Sequence, residues 1–165
     1  MSVNDSANDL ATAFHEAGHA VIGALRGRAP IFVTIIPDGG IAGRNEFPKD
    51  WRPEFKRHLG DTPQKRNYIE TRILIEVAGT VAHDLRFPGR NHDAGDMYDE
   101  QCALALIEDN ACWAAGDRNG YFEGLRGTAL SLLQSNWPWV EAVAHALIER
   151  KTIFMSEVME LCKGE

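Results

Sequence analysis

The stretch TAFHEAGHAVIGAL, residues 12–25, sets two histidines four positions apart with a glutamate directly after the first. From Asp9, an acceptable N-cap, the chain reads as one helix to about Arg26. Leu10, Phe14, Ala17, Val21 and Leu25 recur at helical spacing and draw one apolar stripe. RGRAP then ends the helix, with Gly27 near its C-cap and Pro30 beyond. On such a helix His15 and His19 lie one turn apart on one face, well away from the stripe centred near Val21. Their imidazoles can converge on a common ion about 2.0–2.1 Å from each. Glu16 sits about 100° around the axis, within reach of a water beside that ion. Each residue type has a chemical reason: neutral imidazole for zinc, and a carboxylate to move the proton of an attacking water. The plainer reading is three polar residues on a partly buried helix. Gly18, with Ala17 and Ala20 beside it, also lets another element come close.

A catalytic zinc takes three protein ligands and keeps one open position. The extended pattern HExxHxxGxxH is excluded, because it needs glycine at position 22 and histidine at 25, where the chain has Ile22 and Leu25. The third ligand therefore comes from a later element. Glu70, Glu76, His83, His92, Asp93 and Asp96 are the candidates, and spacing does not choose among them.

The rest of the chain fits one domain over residues 1–165, with residues 1–8 expected to be loose. Hydrophobic residues make up 44% and charged residues 25%, an ordinary globular balance. A net charge of -7 argues against nucleic acid or an anionic membrane as partner. No run of 18 apolar residues exists, so no membrane insertion is expected. The start, MSVNDSANDL, lacks the basic and apolar regions of an export signal. Cys102, Cys112 and Cys162 form no CxxC and read as reduced structural thiols, Cys102 and Cys112 within an apolar helical pattern. Together these features predict a cytoplasmic protein.

After the first helix, IFVTIIP is a β-branched strand closed by DGG, and IAGRNEF can pair back on it. Residues 48–63 carry three prolines and read as a long surface loop. Helices follow over about 64–85, 95–115, 121–134 and 137–150, with a short last one from near Ser156. The expected fold is thus mainly α, with a small β-hairpin after the HExxH helix.

TAFHEAGHAVIGAL followed by VTIIPDGGIAG resembles the peptidase domain of the FtsH family of zinc proteases, where the HEAGH helix precedes a strand reading like VTIIPRGRALG. IEVAGTVAHDL resembles that family's next helix, and HDAGDMYDEQCALAL its segment reading like GASNDIKVATNLA. The C-terminal LLQSNWPWVEAVAHALIERKTIFMSEVMEL is similar to its closing helices. The resemblance runs from residue 12 to 161. It implies a helical, zincin-like FtsH peptidase-type domain holding one Zn2+. It also implies that His15 and His19 are zinc ligands, Glu16 the catalytic residue and Asp96 the third ligand. Taken alone, Asp96 is also a first-turn acid that complements its helix dipole, a role compatible with ligation. His92 and Asp93 read as loop residues.

The chain departs from the family in four ways. His83 and Asp84 replace the usual acidic pair, DGGIAG replaces the usual basic turn, RPEFKRHLGDTPQKR stands where the family has other sequence and implies a different substrate cleft, and the ATPase module and membrane segment of full-length members are not in this sequence. The expected function is ATP-independent zinc metallopeptidase action on short or unfolded polypeptides, a hydrolase activity with the peptide as substrate partner. The alternatives are a peptide- or partner-binding module that retains zinc, a regulatory protease with one specific partner, and an all-α domain without metal. The sequence leaves open whether an ATPase or regulatory protein is a partner.

Overall fold

The computed structural model describes residues 3–48 and 60–163. Most of the expected surface loop at 48–63 lies outside these. Among the described residues the chain forms six α-helices and one small sheet: α1 Val3–Leu25, β1 Phe32–Thr34, β2 Arg44–Glu46, α2 Pro63–Arg86, α3 Ala94–Asn110, α4 Arg118–Ser135, α5 Trp137–Arg150, β3 Thr152–Phe154 and α6 Met155–Leu161. A 3-10 turn, Cys112–Ala114, follows α3. None of these helices is long and apolar enough to cross a membrane.

Helix α1 is the central post, packed mainly against α2 and α5. From Ala11 to Ile22 nearly every residue of it is buried. This corrects the expectation of one apolar stripe with a polar face opposite: the histidine face is covered by α2 and α3, and His19 is buried. Small residues permit that cover. A Cβ placed on Gly18 would lie 2.7 Å from Ala82 Cβ and 2.9 Å from Ala78 C, so the two helix backbones nearly touch. Bulk fills the other side, where the Phe14 and Trp137 rings stack at 5.8 Å between centroids.

Local sequence sets most boundaries. Thr62 caps α2 by accepting from Lys65 N at 3.2 Å, with Pro63 in the first turn. Asp93 and Asp96 form a reciprocal capping box at the start of α3. Asp117 caps α4 by accepting from Gly120 N at 2.8 Å. Two boundaries differ from expectation. Helix α1 starts at Val3 rather than Asp9; Asp9 is not its cap but pairs with Lys151 Nζ at 2.8 Å. Helix α3 stops at Asn110, and Cys112 is exposed instead of in the core.

The expected hairpin is present, with Val33 opposite Asn45. A third strand joins it, giving the antiparallel order β2-β1-β3, with Val33 opposite Ile153. Lys151, at φ 65, turns the chain from α5 into β3. Its carbonyl accepts from Ile35 N at 2.9 Å and seats the strand beside β1.

Candidate metal centre

α1 carries His15, Glu16 and His19 into a cavity of about 790 Å³ whose walls also include Gly43, Asn45, Glu76, His83 and Asp99. The two histidine Nε2 atoms lie 3.0 Å apart. Asp99 Oδ2, one turn into α3, lies 2.9 Å from His15 Nε2 and 3.1 Å from His19 Nε2. These three atoms form a nearly equilateral triangle. Its sides approach the roughly 3.3 Å edge of a tetrahedron whose ligands lie 2.0–2.1 Å from a central zinc.

The opposite ring nitrogens fix the tautomers. His19 Nδ1 donates to the Ile75 carbonyl at 2.6 Å. His15 Nδ1 meets Asp96 Oδ1 at 3.1 Å. A proton held on each Nδ1 leaves the Nε2 lone pairs aimed at each other and at the Asp99 carboxylate. Three electron-pair donors so close require positive charge among them, either protons or a cation. The helix backbones make room for that arrangement. A Cβ at Gly79 would fall 2.6 Å from His15 Nε2 and closer still to His19 Nε2. The donor set and the side-chain-free wall at Gly79 both fit a zinc ion.

Electrostatics follow the same geometry. Burial works against charge on His15, but Asp96 and Asp99 outweigh it and push its pKa up to about 10. Burial likewise opposes charge on His19, and Asp99 again raises its pKa. Burial would raise Asp99, yet the two histidines hold it well below the usual carboxylate range. Asp96 is also held low against its burial, by His15, His83 and the Asp93 backbone. Glu16 is buried, and burial raises its pKa despite the nearby imidazoles and Asn45. Asn45 Nδ2 donates to Glu16 Oε2 at 2.6 Å and to the Glu16 carbonyl at 3.0 Å.

The residues named from sequence fall into three groups. His15, His19 and Glu16 share the cavity. Asp96 is joined to it through His15 Nδ1, and His83, which also lines the cavity, meets the far side of Asp96. Of the other candidates, Glu76 lines the cavity in an ion pair with Arg72, and Glu70 accepts from the Tyr121 hydroxyl at 2.7 Å. His92 pairs with Asp84 at 3.0 Å, and Asp93 is a helix cap. Sequence reasoning missed Asp99 and Asn45. The signal for Asp99 was its i+3 spacing from Asp96, which puts both acids on the same face of α3.

No protein-family model matches the chain. It is 33% identical to the "ATP-dependent zinc metalloprotease FtsH" of Pelobacter propionicus over 120 residues, covering 70% of this chain and 18% of that protein. The protein of the same name from Acidimicrobium ferrooxidans is 31% identical across 90% of this chain and 27% of its own length. The one from Acidobacterium capsulatum is 23% identical across 93% of this chain and 29% of its own length. The chain thus spans less than a third of the length of these curated relatives. It is a distant relative of zinc metalloproteases named FtsH, and the similarity extends over most of its residues.

Proposed function

We propose that the chain is an FtsH-like, zinc-dependent metallopeptidase that hydrolyses peptide bonds in short or unfolded polypeptides. One observation carries the reading: His15 Nε2, His19 Nε2 and Asp99 Oδ2 converge at 2.9–3.1 Å in the cavity that the buried Glu16 carboxylate lines. His15, His19 and Asp99 are the proposed ligands of one Zn2+, so Asp99 takes the role that the family resemblance implies for Asp96. Zinc held by this trio supplies Lewis-acid activation of a water and of the scissile carbonyl. Glu16 takes the proton of the attacking water and delivers it to the leaving amine. Its raised affinity for protons, which comes from burial, suits the second half of that task. Asn45 holds one Glu16 oxygen through a 2.6 Å hydrogen bond and fixes the direction of transfer. A cavity of about 790 Å³ admits a few residues of extended chain and no folded domain, which favours unfolded substrates. None of these steps consumes a nucleotide.

The test uses the full zinc-loaded chain with a carboxymethylated unfolded protein and a quenched-fluorescent peptide library. Cleavage should stop with a chelator and return with zinc. Glu16→Gln should lower turnover by about 10²–10⁴-fold while keeping its zinc. If the zinc-loaded wild type cleaves no better than Glu16→Gln, the peptidase reading fails and a binding module that retains zinc takes its place.

A further inference from the structure

Asp96 is the most deeply buried carboxylate of the site, at 1% exposure, and both its oxygens are engaged. Oδ1 accepts from His15 Nδ1 at 3.1 Å. Oδ2 accepts from His83 Nδ1 at 3.1 Å and from the Asp93 backbone N–H, also at 3.1 Å. His83 is itself 3% exposed. Its Nε2 is buried with no hydrogen-bond partner among the described residues. A neutral His83 protonated on Nδ1 accounts for this arrangement, because a bare lone pair is less costly to bury than an orphaned N–H. Three donors from α1, α2 and the start of α3 thus hold one carboxylate behind a ring whose other nitrogen faces the metal centre.

We infer that Asp96, buttressed by His83, is a positioning residue: it fixes the tautomer and orientation of His15 and thereby sets the metal affinity of the site. The inference rests on the proposed zinc site. Its physical basis is general. A ligating histidine gains basicity and loses rotational freedom when its outer N–H is given to a carboxylate. Were Asp96 itself to ligate, it would have to give up at least one of these hydrogen bonds at a position only 1% exposed. The chain also holds a histidine, His83, behind this carboxylate. A neutral imidazole there supplies a donor to Asp96 without placing a second charge against the site.

The experiment is zinc titration of the full chain by competition with a chromophoric chelator, paired with the visible spectrum of the cobalt-substituted protein. Asp96→Asn should weaken zinc affinity about 10–100-fold, yet still bind one ion at saturation with unchanged cobalt band positions. His83→Phe, which keeps a planar ring and removes the donor, should weaken affinity in the same direction by less. Asp99→Ala should lose more affinity than either and alter the cobalt spectrum. Asp117→Ala, which removes the α4 cap outside the cavity lining, should lower thermal stability and leave zinc affinity unchanged. Two results would overturn the inference: an Asp96→Asn protein with a changed cobalt spectrum and no stoichiometric zinc, or one with wild-type affinity. Should Asp96→Asn fail to fold, wild-type zinc affinity in His83→Phe overturns it instead. A wild-type chain that binds no zinc would sink the metal reading itself, a different outcome from either.

Discussion

Two faces of α1 are built on opposite rules. Toward α5 the helix presents Phe14, 1% exposed and stacked on Trp137, with Arg86 held 5.2 Å above the ring. Toward α2 it presents Gly18, His15 and His19 to a wall that carries Gly79 and no side chain between the imidazoles. The first face excludes water with bulk. The second brings backbones together so that polar atoms from three helices meet at one point. One helix can therefore both anchor the core and hold reactive groups, because its bulky ring and its glycine lie on different sides.

The sharpest way to break this contrast is to put a side chain on the bare wall. Gly79→Val drives carbon into both Nε2 positions and should abolish stoichiometric zinc, read by elemental analysis of the purified protein. Retained zinc would mean that the imidazoles face elsewhere. The complementary change, Phe14→Ala, should cost about 3–5 kcal/mol of stability in denaturant unfolding. Folded Phe14→Ala protein should still bind one zinc per chain, since the loss falls on the bulk-packed face.

Proton competition gives a smaller, graded test. In the metal-free chain His15 is raised from 6.5 to about 10, so its stabilising effect is complete below about pH 6.5 and fades as pH climbs toward 10. Asp99 is lowered from 3.8, so its contribution is present above that value and is lost on acidification. The metal-free chain should therefore gain most from this cluster between about pH 4 and 6.5. Zinc must displace the protons, so its stabilisation should grow with pH, by about 1.4 kcal/mol per unit for each proton displaced. The difference in melting temperature with and without zinc, followed from pH 6 to 8, reads the slope. A flat profile would argue that zinc binds elsewhere.

The smallest effect is expected at Asn45. Its hydrogen bond lowers the Glu16 pKa against the larger upward push of burial. Asn45→Ala should move the acidic limb of the pH–activity profile upward, with zinc content unchanged. An unmoved limb would mean that Asn45 does not tune Glu16.

Much of this arrangement could be read from local sequence. Thr62-Pro63 starts α2 and Trp137-Pro138 starts α5 because capping and proline geometry act within one turn. The β1–β2 pairing followed from a β-branched run closed by adjacent glycines. Strand β3 was not legible, because three residues, Thr152–Phe154, carry no periodicity and become a strand only by pairing with β1. The buried histidine face was misread for a related reason: the cover comes from α2, about 60 residues downstream, through glycines that no hydrophobic pattern marks. His15, Glu16 and His19 stood out because their spacing is internal to one helix. The acids of NHDAGDMYDE did not sort themselves. Which of them meets the Nε2 atoms depends on how α3 lies across α1, and that packing sets Asp99 on one nitrogen of His15 and Asp96 on the other.

A crystal structure of the zinc-loaded chain tests the proposed metal centre. It should show one ion bound by His15 Nε2, His19 Nε2 and the Asp99 carboxylate, with a solvent-open fourth position facing Glu16 and with Asp96 still on His15 Nδ1. An ion ligated by Asp96 in place of Asp99, a fourth protein ligand closing the site, or no ion between the two histidines would contradict it.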